Sequence, residues 1–532
     1  MERFDFIIVG AGSAGCVLAN RLTESGKFKV LLLEAGRDRE SFWVRTPAGT
    51  GFLYMNPRVN WMYNSAEEPL LNSRRIYQPR GKLTGGSSAI NGMIYIRGNA
   101  RDYDRWAADG NVGWASSDVL PYFRRAETNL NFTDPYHGTN GPLRVAKALY
   151  KVPVVDAFVQ SGEVAGLPHT EDFNGAQQEG AQAYQFTISE GLRNSTARAY
   201  LKPVRRRANL TIRDRASVNC VILRDGRAAG VRYIRDGRSC EALAGEVLLS
   251  GGAINSPQLL MLSGIGPADH LRKIGIEVHH DLPGIGQNLQ DHLSVPLNYE
   301  TRQGMSLNRA LSGWQKYLNG ARYLATRSGP LSLGSSQAAA FIRTDPTLSA
   351  PDVQITFRAW SFDFNSKGHL QMHPYPGVQA AVIGLQPEAR GSLTLNTSSP
   401  DKAPILKFNY LAGRGDCETL LSGIRWMRRI ASVGAFADAV MCERGPGVTA
   451  ISDEALTDYI RQSAQSVMHP VGTCKMGLGE DAVVDPRLRV HGIPGLRVID
   501  ASIMPTIVSG NTNAPTIMIA ERAAEMILED AR

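Results

Sequence analysis

The stretch that most constrains this chain is its beginning. Residues 4–9 form a short apolar run of the kind a buried parallel strand shows, and they lead directly into Gly10-Ala11-Gly12-Ser13-Ala14-Gly15. A helical pattern with Val17, Leu18 and Leu22 apolar follows, then a second strand over 29–33 that ends in Glu34 and Ala35. Strand, glycine turn, helix, strand and acid in this order predict a dinucleotide-binding unit. Gly10 permits the tight turn, and Gly12 lets a pyrophosphate approach the backbone at Ser13 and Ala14. Gly15 allows close packing of helix on strand, and Glu34 is placed to hold ribose hydroxyls. An acid at the end of the second strand disfavours a 2′-phosphate, so NADP is the wrong dinucleotide. NAD and FAD stay open at this point.

A second glycine cluster bears on that choice. Residues 80–98 hold five glycines and two serines, so many backbone donors can reach one ligand. Ile90, Met93, Ile94 and Ile96 are threaded through them, which fits poorly with a flexible surface loop. A flavin dinucleotide is long, and its ring end needs such a second surface.

Other classes of function are excluded by composition. The net charge of +8 is spread along 532 residues, and its densest cluster is Arg205-Arg206-Arg207. Neither a concentrated basic face nor a nucleic-acid module is present, so no nucleic-acid partner is expected. No run approaches the ~18 apolar residues of a membrane helix, which leaves only peripheral membrane contact open. Six cysteines without a C-x-x-C pair offer neither a metal site nor a disulfide framework. With a strand starting at once and no signal region, the expected setting is cytoplasmic.

These motifs and four later ones resemble the glucose–methanol–choline (GMC) flavin oxidoreductases over nearly the whole chain. The resemblance is carried by Gly10-x-Gly12-x-x-Gly15…Glu34 and by Gly81-Lys82…Gly85-Gly86-Ser87-Ser88-x-Ile90-Asn91. It continues through residues 251–266 and Gly284-x-Gly286-x-Asn288-Leu289-Gln290-Asp291-His292, then His469-Pro470-Val471-Gly472-Thr473. It ends with Asp500-Ala501-Ser502-x-Met504-Pro505 and Gly510-Asn511-Thr512-Asn513. The resemblance implies FAD, held by the first unit and by Gly81, Gly85, Gly86, Ser87, Asn91, Gly92, Met93 and Ile94. Val218, Gly252, Asp500, Ala501, Asn511, Thr512 and Asn513 belong to the same implied set. Thr84 stands where the family usually has a branched apolar residue. Members with covalent flavin carry a His in the second cluster; Ile90 aligns there, so non-covalent FAD is expected.

A flavin that oxidises an alcohol takes hydride at N5, and a base must accept the hydroxyl proton; neutral His suits that task. Of ten His, those at 137, 169, 270, 279, 280 and 491 sit in polar or turn-like contexts and read as surface residues. His292 reads as structural. His469 matches the family's active-site His. Its implied partner on the substrate oxygen is Asn511, counted back from the last helix pattern, with Asn513 the competitor. That helix is expected from residue 517 to about 530. Asp102, Tyr103, Asp104 and Trp106 are family-like and read as structural. The aromatic-rich stretch 41–65 reads equally as packing or as substrate access.

The fold class expected is α/β: a discontinuous Rossmann-type FAD domain plus a substrate domain with an antiparallel-rich sheet backed by helices. The FAD domain is assigned to 1–150, 196–295 and 464–532, and the substrate domain to 151–195 and 296–463. Strands near 210–212, 216–223 and 229–234 read as a β-meander turning at Asp225-Gly226; helices are expected at 309–326 and 417–432. The function this implies is oxidation of a primary alcohol to the aldehyde, choline itself not being implied. A quinone or dye is the expected acceptor rather than oxygen. An oxidase producing peroxide and a redox-silent hydroxynitrile lyase are the alternatives, since fold does not fix function.

Overall fold

Glu2–Val9 is the centre of a seven-stranded sheet, with Ile7 and Ile8 completely buried. It pairs in parallel with Val30–Leu33 on one side and with Arg238–Leu249 on the other. Leu210–Arg213 extends the sheet beyond Val30–Leu33, and Leu496–Val498 lies parallel to the end of Arg238–Leu249. This computed structural model describes residues 2–364 and 370–531.

The meander is displaced from its sequence reading. It consists of Ala216–Arg224, Arg227–Arg235 and Arg238–Leu249, all antiparallel, whereas Leu210–Arg213 belongs to the parallel part of the sheet. Asp225 and Gly226 both take positive φ, as a two-residue hairpin turn requires.

Three helices pack on this sheet's side of the molecule, two of them beginning just after a strand. Ser13–Leu22 follows the first glycine turn, Gly252–Leu262 follows the long strand, and Asn513–Asp530 closes the chain. The last helix starts four residues before its expected position. Pro515 falls in its first turn, where the missing N–H has no intrahelical partner to lose. The first and last helices are stitched together across nearly the full sequence. Arg21 Nη2 pairs with the fully buried Glu521 at 2.8 Å, and Ser13 Oγ donates to Asn513 Oδ1 at 2.8 Å.

The second large sheet is antiparallel. Its order is Val440–Gly445, Leu293–Thr301, Gly377–Gly384, Val353–Arg358, Ala338–Ile342 and Gly180–Ala183, with Gln465–Ser466 added beside Leu293–Thr301. Asp416–Ala431 backs one face so closely that a Cβ at Gly423 would collide with Val382. The other face roofs the site. The helix expected from 309 starts only at Gln315, because Gly313 interrupts the run with φ of 52°.

One histidine assignment is overturned. His137 is buried rather than at the surface: its Nε2 lies 2.7 Å from Asp172 Oδ2 and its Nδ1 3.1 Å from Glu127 Oε2. Bonds to these two carboxylates outweigh its burial and push its pKa up to about 9. All six cysteines are free thiols. Among the described residues, no helix is long and apolar enough to cross a membrane.

Candidate active site

A cavity of about 1630 Å³ lies between the two sheets and takes in almost every site residue expected from sequence. Its lining includes Gly10, Gly12, Ser13, Ala14, Glu34, Ala35 and Val218, together with Gly81, Gly86, Ser87 and Gly252, and also His469 and Asn511. Asn91, Gly92, Met93, Ile94, Asp500, Ala501, Thr512 and Asn513 also line it. Gly15 and Gly85 do not. A Cβ at Gly15 would collide with Gly10 O, so this glycine serves packing of the helix on the turn. Gly85, at φ 94°, donates its N–H to Ala11 O at 2.7 Å and thereby locks the two glycine turns together.

The cradle fits the pyrophosphate of a dinucleotide. Gly12 has φ of −80°, which any residue can adopt, and no protein atom lies within 3.9 Å of where its Cβ would stand. Nothing in the protein itself therefore demands glycine there, whereas a ligand reaching the N–H groups at the start of Ser13–Leu22 does. Gly86 has its own reason for lacking a side chain: a Cβ would come within 2.7 Å of Gly12 Cα.

Two carboxylates hold the glycine turns. Glu34 accepts from Ala11 N at 2.9 Å and Gly36 N at 2.8 Å, yet burial pushes its pKa up to about 7. Asp500 accepts from Gly252 N at 2.8 Å and Ser256 Oγ at 2.6 Å through one oxygen, and from Ser502 N and Oγ through the other. Its role is therefore to order the Gly251-Gly252 turn. Val218 sits at a bulge in its strand pair, which leaves its backbone off the regular ladder.

His469 is placed by its backbone before its ring is considered. Its N–H donates to Asp291 Oδ1 at 2.7 Å, while Asp291 Oδ2 accepts from Tyr410 Oη at 2.6 Å and from Ser466 Oγ. Met468, just before it, is held at φ 69°, a conformation a side-chain-bearing residue keeps only when its surroundings impose it.

The ring's protons follow from a short chain of bonds. His292 Nε2 lies 3.0 Å from Leu385 O, a carbonyl that can only accept, so that nitrogen carries hydrogen. Burial lowers the pKa of both rings, and His292 and Arg80 lower that of His469 further. In neutral His292 the Nδ1 is then the acceptor, and His469 Nδ1, 3.0 Å away, must donate to it. That leaves the lone pair on His469 Nε2, which faces Asn511 Nδ2 at 3.1 Å. The Asn511 carbonyl oxygen is buried without a partner, as expected for a group that awaits one.

Asn511 thus meets His469, whereas Asn513 accepts from Ser13 at the first turn. The loop bearing Asn511 is fixed by Asp102, which accepts from Ser509 N at 2.6 Å and Ser509 Oγ at 2.8 Å. Sequence reasoning missed two neighbours of this site. His292 read as structural, although its place in the Asp291-His292 pair beside a recognised motif was a usable signal. Arg358, in the roof strand, carried no local signal at all.

A two-glycine-turn cradle opening onto an imidazole whose Nε2 lone pair faces Asn511 in the cavity defines a dinucleotide-dependent oxidoreductase. Residues 4–294 and 387–520 match the N- and C-terminal family models of GMC oxidoreductase, and the chain belongs to that family. The family binds FAD and acts on CH–OH donors. An oxygen-dependent choline dehydrogenase of Pseudomonas savastanoi pv. phaseolicola is 44% identical over 99% of this chain and 94% of its own length. One from Rhizobium etli is 42% identical over 98% and 95%. The crystal structure of a pyridoxine 4-oxidase from Mesorbium loti superposes with a TM-score of 0.89 at 30% identity, covering 99% of each chain.

Proposed function

We propose that this chain oxidises a primary alcohol to the aldehyde, with His469 taking the hydroxyl proton at Nε2 and Asn511 steadying the substrate oxygen. The observation that carries the reading is the lone pair of His469 Nε2, turned to Asn511 within the cavity by the His292 hydrogen bond. FAD, when bound, would supply the two-electron acceptor for the hydride that leaves the carbon bearing the hydroxyl. The chain's own part is to hold the alcohol oxygen between His469 and Asn511 and to keep water out beneath the antiparallel roof. The N-terminus of Asn513–Asp530, at Thr512 and Asn513 in the cavity lining, would offer a positive dipole end to negative charge on a reduced flavin. In this reading the first sheet is the cofactor domain and the second the substrate domain, divided as the sequence suggests.

FAD is held without a covalent bond in this proposal. Among the described residues lining the cavity, His469 is the sole His and there is no Cys; Ile90, which the family resemblance aligns with the attachment His, lines it too. Acid precipitation should therefore leave the yellow colour in the supernatant, and flavin retained on the pellet would refute this.

The proposed acceptor is a quinone or dye. The oxygen dependence of the choline dehydrogenases above favours a second reading, an oxidase that makes hydrogen peroxide. Anaerobic mixing of the holoenzyme with a panel of alcohols should bleach the flavin band. Subsequent turnover should then be several-fold faster with a quinone or dye than with oxygen. A flavin that no alcohol bleaches ends the alcohol-oxidation reading, and peroxide formation at the dye rate ends the acceptor preference.

A further inference from the structure

The roof of the cavity holds a cation, Arg358, that no carboxylate among the described residues pairs with. Val353–Arg358 runs antiparallel to Gly377–Gly384, with Thr356 opposite Ala381 and Arg358 opposite Gln379. Side chains alternate along a strand, so Thr356 and Arg358 line the cavity while Ile355 and Phe357 are completely buried behind them. The Arg358 guanidinium makes one hydrogen bond, from Nη1 to Gln379 Oε1 at 3.0 Å. Its Nε is buried and unpartnered, and the group lies over the Phe362 ring at 5.3 Å. Among the described residues, no carboxylate pairs with it. Burial alone lowers its pKa, with only the hydroxyls of Tyr54 and Tyr184 acting the other way.

Its cationic neighbours are occupied. Arg80 donates to the carbonyls of Pro79 and Met468, and Arg193 to those of Val44 and Asn91 and to Thr50 Oγ1. All three guanidinium groups act on the buried Tyr54 hydroxyl, so the positive field there is shared. The acids that line the cavity stand elsewhere. Glu34 and Asp500 are engaged by the glycine turns, and Asp401 is exposed, next to Lys402, whose carbonyl accepts from Gln258.

Such a wall repels a quaternary ammonium and suits its opposite. A half-buried guanidinium whose Nε is buried without a partner is costly until an anion occupies it, and its planar fork matches a carboxylate with two parallel bonds. Resting on the alcohol-oxidation reading, we propose that Arg358 anchors an anionic group of the substrate, so that the alcohol this chain prefers carries a carboxylate.

The test compares three benzyl alcohols of one shape, bearing a 4-carboxylate, a 4-methyl or a 4-trimethylammonium group, with choline alongside. With the FAD holoenzyme, kcat/KM for the carboxylate should exceed that for the methyl compound by about 10–100-fold, the worth of a charged hydrogen bond. The ammonium compound and choline should be poorer still. The ratio of carboxylate to methyl should fall to near one in Arg358→Gln and be partly kept in Arg358→Lys, a point charge without the fork. Benzoate titrated against the flavin absorbance gives a readout without turnover: binding to the wild-type protein, lost in Arg358→Gln. A wild-type ratio of one, or one favouring the ammonium compound, overturns the proposal, as does a carboxylate preference unchanged in both variants. If no alcohol bleaches the flavin but benzoate binding still depends on Arg358, the oxidation reading fails and the anion site stands. If alcohols are oxidised without regard to charge, the reverse holds.

Discussion

Replacing His469 with Ala is expected to slow reduction of the flavin by alcohol by on the order of 10²–10⁴, the usual worth of a positioned base. The loss should fall on the chemical step and not on the fold. The bond that orders this loop runs from the His469 backbone N–H to Asp291 Oδ1, and it survives removal of the ring. Asn511 keeps its amide in the cavity, so substrate still has one hydrogen-bond partner. Flavin content should stay at the wild-type level, and stopped-flow reduction under anaerobic conditions measures the effect. A variant that reduces flavin at the wild-type rate would remove His469 from the reaction.

The pH profile of the same reaction separates this base from an ordinary surface His. Burial, His292 and Arg80 all act to lower the pKa of His469. A base must be unprotonated to act, so a depressed pKa extends activity downward. The reduction rate in the wild-type protein should not fall as pH drops through ~6.5, where an unperturbed imidazole would be half protonated. Stability carries the same sign. The unfolded chain binds the proton at ~6.5, whereas the folded chain resists it to lower pH. This contribution to stability is complete above that value and is lost as pH falls from there toward the folded pKa.

Much of the site was legible because its chemistry is written in contiguous residues. The turn from Gly10 to Gly15, the cluster around Gly81–Ser87 and the run beginning at His469 each need particular residue types at fixed local spacing. The unread parts are contacts between distant segments. His292 and His469 lie 177 positions apart, and only the fold brings their Nδ1 atoms together. Arg358 follows five strand residues that are apolar or uncharged, and its lack of an acidic partner cannot be seen until Gln379 is found opposite it. His137 misled for the converse reason: its neighbours in sequence are polar, yet the carboxylates that hold it buried come from other segments, Glu127 at the start of a short strand and Asp172 from a loop. Residues 210–212 read with the meander because their pattern alternates as its strands do, while the hydrogen bonds of Leu210–Arg213 go to Val30–Leu33.

Gly12 and Gly15 differ in what forbids a side chain, and paired substitutions should expose the difference. At Gly12 the backbone is extended and no protein atom lies within 3.9 Å of the Cβ position, so Gly12→Val should fold. Its isopropyl group would occupy the place where the pyrophosphate meets the start of Ser13–Leu22. A clash of the size seen in overpacked sites, ~1–3 kcal/mol, corresponds to a ~10–100-fold loss of FAD affinity. The purified protein should be nearly colourless, with a thermal midpoint equal to that of the wild-type apoprotein. Gly15→Ala should behave in the opposite sense. Its methyl group would collide with the Gly10 carbonyl, which is backbone and is held by the Gly10 N–H bond to Leu33 O. Helix and turn must then separate, at ~3 kcal/mol or more, and the apoprotein itself should melt earlier. FAD affinity by flavin fluorescence and apoprotein melting by calorimetry read the two effects independently. A yellow Gly12→Val protein with wild-type affinity would mean that the cofactor phosphates lie away from this turn, and the assignment of the first glycine motif would fail with it.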